Sequence, residues 1–585
     1  ALAGDTVRVQ VLSNYRNRPQ GRILEILTSK TQLIQGTLVF RRGRHYLEMQ
    51  KHISSRSIVV NMPHRLKVPN DSIVQVEIID RGRPSHPIFA KFIKLIGTSA
   101  NPATDYDTVV NKFSLRTEFP EQCIIEAKEL ENNTDFNDYR NREDYTQYDT
   151  ITIDPDSARD YDDALSITQN NDGSYTVYVH IADVSHFVKK GSAIDAEARL
   201  RGTSVYFTDQ NIPMIPPILT SNLCSLLPHK NRFTLTAIIK LDKNLNVIEV
   251  DVKKGVINSN IRLTYTQAQK IIDSGEGDGY SLLDTLKSIS AKLRKKRFKS
   301  GSLNIEIPEV EFIMGDEGVP LKISIKKHLK THELVEEFML LANREIAQKF
   351  ADKNESLVFR NHGKPETERL ISLNELLGQL GDYKPLSTNQ QISASEFQQV
   401  LDRITSSEAK HMIKIQLLRT MPKADYGLNN KGHFGLGFEY YCHFTSPIRR
   451  YPDIMVHRAL SNIQDQDAEK MASSSTQSEI SAMKAEREYN KIKQLRFLEK
   501  QPTKTYNGVV NGMLQRGLFI MLEEILVDGF IRADWMDDDY YYYDESKHVF
   551  IGRRYKTKYR IGQKVQVKIR NISVVNQKLD LLLVN

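Results

Sequence analysis

Residues 154–163 hold five aspartates in ten positions, Asp154, Asp156, Asp160, Asp162 and Asp163, tightly bounded by Ile151 and Ile153 before them and Ala164, Leu165 and Ile167 after them. Acidic loops are ordinarily solvated surface, and that reading is the starting point. The apolar strand-like runs on both sides argue against it, because they hold the carboxylates close to a core. Four carboxylates gathered in one place repel by roughly 4 kcal/mol per pair at 4 Å and an effective dielectric near 20. Cations relieve that repulsion, and hard divalent ions with oxygen ligands are the natural ones. The glycine and terminal glutamate of a calcium-binding EF-hand are missing here. Mg²⁺ keeps water and accepts phosphate oxygens, so the cluster points to in-line phosphodiester hydrolysis, with two ions about 3.5–4 Å apart.

At 585 residues the chain exceeds one hydrophobic core, and about three to five domains are expected. A charge of +8, from 81 Lys and Arg against 73 Asp and Glu, favours a polyanionic partner but also serves plain solubility. The three cysteines, Cys123, Cys224 and Cys442, are too few and too widely spaced for a disulfide framework or a zinc site, so a cytoplasmic location is expected. No apolar run approaches the roughly 18 residues that span a bilayer, so no membrane partner is expected. The chain opens at Ala1 in mid-pattern and reads as a trimmed piece.

Short strand-like runs separated by turn residues fill positions 1–97, with Arg41, Arg42 and Arg44 among them, and predict small all-β barrels. Residues 98–148 read as a linker with one helical piece near Glu121–Asn132. Strands and then long helical patterns from Thr150 onward predict an α+β domain. Its best helix runs from Thr331, read as the N-cap, to Phe350, with Val335, Phe338, Met339, Ala342 and Ile346 as the apolar stripe. The low-complexity patch 464–477 reads as a loop and Glu479–Glu499 as a charged helix. Alternating runs over 504–584 predict a second small barrel. The basic run Lys292–Lys299 reads equally as a solvated helix face or an RNA track.

The run TIDPDSARDYDDA (152–164) resembles the catalytic signature of the ribonuclease II and ribonuclease R family, the RNB family of 3′→5′ exoribonucleases. Four further stretches resemble the same family in the same order: YTVYVHIADVSHFV (175–188), RGTSVYFTDQNIPMIPPILTSNLCSLLP (201–228), HELVEEFMLLAN (332–343) and HFTSPIRRYPDIMVHRAL (443–460). SPIRRYPD and Gly-Thr-Ser-Val-Tyr are more similar to the bacterial ribonuclease R branch. The resemblance implies a multidomain chain: an α+β catalytic RNB domain flanked by OB-fold barrels, cold-shock type at the N-terminus and ribosomal-protein S-one type at the C-terminus. The boundaries implied are 1–28 for the remnant of a first cold-shock barrel, 29–97 for a second, 98–148 for the linker, 149–500 for the RNB domain and 501–585 for the C-terminal barrel.

The same resemblance implies roles residue by residue. Asp154, Asp160, Asp162 and Asp163 match the metal-site aspartates; Asp154 and Asp163 are expected on the firmer ion, Asp160 and Asp162 on a second ion or the attacking water. Asp162, Asp160 and Arg449 are the catalytic candidates. Arg449 matches the arginine that holds the scissile phosphate, a role suited to a planar guanidinium fork. Tyr206 matches the aromatic that stacks on the 3′-terminal base. Glu337, opposite the apolar stripe of its helix, and Glu486 fall where the family has acids near the RNA end. Arg516, Phe519 and Arg532 mark the binding face of the C-terminal barrel, with a grip leaning toward phosphate. Ile305 stands where ribonuclease II has a base-clamping phenylalanine.

The activity implied is processive hydrolysis of single-stranded, and also structured, RNA from a free 3′ end to nucleoside 5′-monophosphates. The cofactor implied is Mg²⁺, two ions during catalysis, with Mn²⁺ as substitute. The chain is expected to act as a monomer without an organic cofactor. A non-catalytic RNA-binding protein on the same scaffold is the alternative, and a nuclease acting on DNA is a third reading.

Overall fold

The structure, a computed structural model, describes residues 5–584 apart from 16–17, 29–32, 50–56, 65, 82–85, 306–307, 381–384, 389–391, 405–406, 502–503 and 545–548. Thr6–Tyr15 and Arg18–Thr28 pair as an antiparallel ribbon. Five strands then close into a barrel: Leu33–Arg41, Arg44–Glu48, Ile58–Asn61, Ser72–Asp80 and Ile88–Thr98. Their alternation turns Leu38, Val60, Val74, Val76, Ile88 and Ala90 inward, which is what closes the sheet on itself. A second closed barrel forms from Thr505–Leu514, Gly517–Leu522, Val527–Arg532, Lys564–Ser573 and Lys578–Leu583. Both share one topology: the first three strands are consecutive neighbours, and the last strand lies parallel to the third. This five-stranded plan is that of an OB-type barrel.

Between the barrels lies a seven-stranded sheet. In spatial order its strands are Ile261–Thr264, Ile151–Asp154, Asp163–Gln169, Tyr175–Ala182, Asn231–Leu241, Val247–Asn258 and Glu143–Asp144. Val177, Val179, Ile181, Ala237 and Ile239 of the central strands are fully buried beneath the helix Lys330–Asp352. Phe338, Ala342 and Ile346 of the expected stripe meet them at 0% exposure, burial of the Phe and Ile side chains contributing about 1.5–3 kcal/mol each. The helix begins one residue before Thr331, whose hydroxyl donates to the Tyr265 carbonyl instead of capping its own helix.

Two stretches carry more structure than their composition suggests. The 98–148 stretch contains the helices Thr104–Phe113 and Glu121–Asn133 and ends in the edge strand of the sheet, with Val109, Cys123 and Ala127 in the cores. The patch 464–477 is not a loop. From Ala468 it belongs to one 32-residue helix, Ala468–Glu499, in which Ala472 and Ser475 are buried. Small side chains there allow close approach: a Cβ on Gly202 would lie 2.7 Å from Ser478. The three cysteines are free and buried, and no helix among the described residues is long and apolar enough to cross a membrane.

Candidate active site

The strands Ile151–Asp154 and Asp163–Gln169 run antiparallel with Ile151 opposite Leu165, so the first ends and the second begins at one end of the sheet. Asp154 and Asp163 therefore stand at that end, and the loop between them returns Asp160 and Asp162 to it. Asp162 is 5% exposed and Asp154 8%, with Asp160 and Asp163 half-buried. Burial pushes the carboxyls of Asp154, Asp162 and Asp163 above the usual carboxylate range. Asp163 and Asp160 add to this for Asp154, while Arg449 works against it for Asp162 and Asp163.

Oδ2 of Asp154 is buried with no hydrogen-bond partner among the described residues. Among those residues no group of three or more His, Cys, Asp or Glu side chains is placed to hold a metal ion. The donor set still fits a hard divalent cation: buried carboxylates raised by desolvation, one with an unsatisfied oxygen, are the groups such an ion would stabilise.

The segment 443–450 reaches this end of the sheet from far along the chain. The Ile448 N–H donates to Asp162 Oδ1 at 2.9 Å, and the Ser446 N–H to Asp453 Oδ1 at 2.8 Å. Asp453, fully buried in the first turn of the helix Tyr451–Leu460, also takes Arg450 at 2.7 Å. Arg450 is thereby committed to structure. Arg449 is exposed; its guanidinium donates to Ser446 Oγ at 3.2 Å and has no carboxylate partner among the described residues. The pair differ by one position but have opposite availability for a ligand.

Tyr206 lies on a hairpin of two residue pairs, Val205 with Ile212 and Tyr206 with Asn211. The hairpin is tied to the arginine loop by the Ser204 N–H, which donates to the Arg449 carbonyl at 3.0 Å. The Tyr206 hydroxyl donates to Asp160 Oδ2 at 2.8 Å, and its backbone N–H donates to Glu486 Oε1 at 2.8 Å. Glu486 so reaches the site through backbone, and burial holds its carboxyl above the usual range. Tyr206, 38% exposed, keeps ring surface open to solvent.

Tyr265 was not singled out by the sequence. It opens the helix Tyr265–Ser274, behind a Thr264–Gln267 capping box, and stacks on His332 at 3.9 Å between ring centres. Thr264 lies opposite Asp154, so the next residue, Tyr265, follows at that strand end, where burial and then the charges of Asp163 and Asp154 push its phenol up. The strand Ile261–Thr264, parallel to Ile151–Asp154, puts it there. Only the capping box hinted at its location.

Glu337 does not join the site. It is 3% exposed and pairs with Arg297, whose Nε lies 3.1 Å from both carboxylate oxygens. The packing of the helices Tyr280–Lys299 and Lys330–Asp352 buries the side expected to face outward, and a buried carboxylate requires a cation. The same contact answers the basic run. Arg294 pairs with Glu333 at 3.2 Å and Lys296 caps the carbonyls of Asn244 and Leu245, so half of the run is structural. Ile305 packs, partly buried, against the helical cluster around Phe397 and Leu417.

In the C-terminal barrel, Arg516, Phe519 and Arg532 do share one cavity of about 760 Å³, together with Phe530, Trp535 and Lys491. Phe519 and Phe530 lie 4.9 Å apart, and Arg570 covers Trp535 at 4.3 Å. Arg532 forks onto Asp534 at 2.8 and 2.6 Å, which offsets its charge. The face is therefore more aromatic and less phosphate-directed than the arginines alone suggested.

Two OB-type barrels around an α+β body, with aspartates, a free arginine and an exposed tyrosine at one sheet end, define the class of RNB-domain proteins. A family model described as the RNB domain matches residues 142–466, and one described as a cold shock domain matches residues 46–120. Ribonuclease R of Thermotoga maritima is 31% identical over 620 residues, covering 100% of this chain and 85% of the relative. That of Aquifex aeolicus is 30% identical over 591 residues, covering 98% and 83%. The structure of Mycoplasma genitalium RNase R in complex with ribose-methylated single-stranded RNA has a TM-score of 0.90 at 26% identity, covering 100% of this chain and 95% of that one. The chain belongs to the ribonuclease R family.

Proposed function

We propose that this chain is a hydrolytic, processive 3′→5′ exoribonuclease that releases nucleoside 5′-monophosphates from single-stranded and structured RNA. The observation that carries the reading is the bond from the Ile448 N–H to Asp162, which sets the free Arg449 beside the gathered aspartates. The single-stranded RNA in the Mycoplasma relative supports the substrate class.

Asp154, Asp160, Asp162 and Asp163 would hold Mg²⁺, with Mn²⁺ as substitute. When bound, such ions activate water and steady the leaving oxygen. Attack of water on phosphorus breaks the bond to the 3′ oxygen; the phosphate stays on the released nucleotide and the shortened RNA keeps a 3′-hydroxyl. Arg449, with donors to spare, pairs with the non-bridging oxygens and offsets the charge that develops on them. The Tyr206 ring stacks on the terminal base while its hydroxyl, held by Asp160, fixes the ring's tilt. Phe519, Phe530 and Trp535 supply stacking for the strand upstream. We place the protein in the cytoplasm, a reading supported by its three free, buried cysteines, and read it as a monomer.

A 5′-labelled RNA incubated with the protein and Mg²⁺ should shorten progressively, and EDTA should stop the reaction while leaving RNA bound. A label that stays full-length in Mg²⁺ would instead support a binding protein. Equal rates on a deoxy strand would support a nuclease that ignores the 2′-hydroxyl.

A further inference from the structure

The Tyr206 hairpin is too short to hold itself in place, since two residue pairs do not make a stable ribbon in water. Its neighbours are nonetheless fixed one after another by the helix Ala468–Glu499. Phe207 packs on the Tyr489 ring at 4.8 Å between centres, and the Thr208 hydroxyl bonds Asn490 Oδ1 at 2.8 Å. The Tyr489 hydroxyl donates to both oxygens of Asp209, at 2.8 and 2.9 Å.

The helix is a firm support at this point. Tyr489 is 1% exposed, and Ile492, Leu495 and Leu498 share a core with Val510, Leu518 and Ile520 of the C-terminal barrel. From the other side, Asp105 of the helix Thr104–Phe113 pairs with Lys493 at 3.2 Å and Arg496 at 2.9 Å. Asp209 and Tyr206, by contrast, are exposed. A firmly packed helix thus grips a short hairpin through Tyr489 and Asn490, which bond neither the four aspartates nor Arg449 among the described residues.

We propose that Tyr489 and Asn490 are positioning residues: by latching Asp209 and Thr208 they set where the Tyr206 ring stands, and so how tightly the 3′ end is held. The inference rests on the stacking role given to Tyr206 above. Because Tyr489 also belongs to the core shared with the C-terminal barrel, the latch makes that barrel part of the support of the terminal base.

The test uses the full chain with Mg²⁺ and a short single-stranded oligoribonucleotide. Tyr489→Phe removes only the hydroxyl and keeps the ring on Phe207, while the freed Asp209 returns to water. It should raise KM about fivefold, as the loss of one such hydrogen bond implies, with a smaller change in kcat. Thr208→Val, a near-isosteric change at a half-buried position, should shift KM in the same direction. In a Tyr206→Ala background neither substitution should add more than about twofold, because there is no ring left to position. An unchanged KM in both single variants overturns the proposal, and so does an equal rise with and without the Tyr206 ring, which marks a merely structural bond. If the unaltered chain fails to shorten RNA, it is the proposed function that falls.

Discussion

The Ile448 N–H and the Asp162 carboxylate, 286 positions apart in sequence, meet at 2.9 Å. That bond closes the site: it brings a loop whose own conformation is set by Asp453 onto a carboxylate whose position is set by the sheet. Arg449 is carried along with the backbone that makes it.

Asp162→Asn is expected to keep the fold, because the amide oxygen still accepts from Ile448. Removing a desolvated negative charge should leave the melting temperature equal or higher. RNA shortening should fall by about 10³-fold, since a ligand charge is lost where phosphate charge develops. Parallel thermal melts and single-turnover assays check both halves.

Magnesium should stabilise the protein more at pH 8 than at pH 5. Asp154, Asp162 and Asp163 are held above the usual carboxylate range, so the folded state retains protons that the unfolded chain has released. Their contribution to stability therefore declines as pH rises from the ordinary carboxylate range toward and beyond neutrality. A divalent ion offsets that decline only where the carboxylates are ionised. Melting curves with and without Mg²⁺ across this range should diverge upward with pH.

Arg449→Lys should behave differently from a conservative exchange. A lysine keeps the charge but not the planar fork, so kcat/KM should drop by about 10-fold or more, and Arg449→Ala should lose about 10²-fold or more. The side chain is exposed and among the described residues bonds only Ser446 Oγ, so neither change should lower the melting temperature appreciably. Steady-state kinetics with a thermal melt distinguish this from a structural arginine.

Glu337→Ala should act on stability and not on chemistry. It removes the closest partner of the buried Arg297 and leaves it only the Ser302 hydroxyl at 2.7 Å and Glu336 at 3.9 Å among the described residues, a loss of up to about 3 kcal/mol. The activity per folded molecule should stay near that of the parent. A tenfold loss of activity without loss of stability would return Glu337 to the RNA end.

Acid should weaken the fold through His180. The ring is fully buried between Ser166 Oγ at 3.1 Å and Thr236 Oγ1 at 2.9 Å, and desolvation pushes its pKa down to about 3. Being depressed below the unfolded value near 6.5, it leaves the fold unpenalised above that pH and costs stability as pH falls from 6.5 toward 3, at most about 1.4 kcal/mol per unit. His180→Gln should flatten that part of the stability profile, measured by denaturant unfolding at several pH values.

Much of the architecture was legible because its signals are local. Alternation of period two marked both barrels, the 3.6-residue stripe of Val335, Phe338, Ala342 and Ile346 marked the main helix, and the spacing of the aspartates between apolar runs placed them at a strand end. Low complexity misled at 464–477, because serines read as loop residues when nothing is known of the neighbour they must fit against. In the helix Ala468–Glu499 they are the small contact surface that Gly202 approaches.

Five aspartates were visible as a cluster from their spacing alone, since covalent connection guarantees their proximity, and the family resemblance singled out four of them. Which side chains complete them was a matter of long-range packing. Arg449 is left free while Arg450 is consumed by Asp453, and Tyr265 stands at the strand end of Asp154 while Glu337 is turned to Arg297. Adjacent residues of one type, or acids on one helix, look alike in a sequence. What separates them is which neighbour the fold brings to each, because burial without a partner costs more than any local preference can supply.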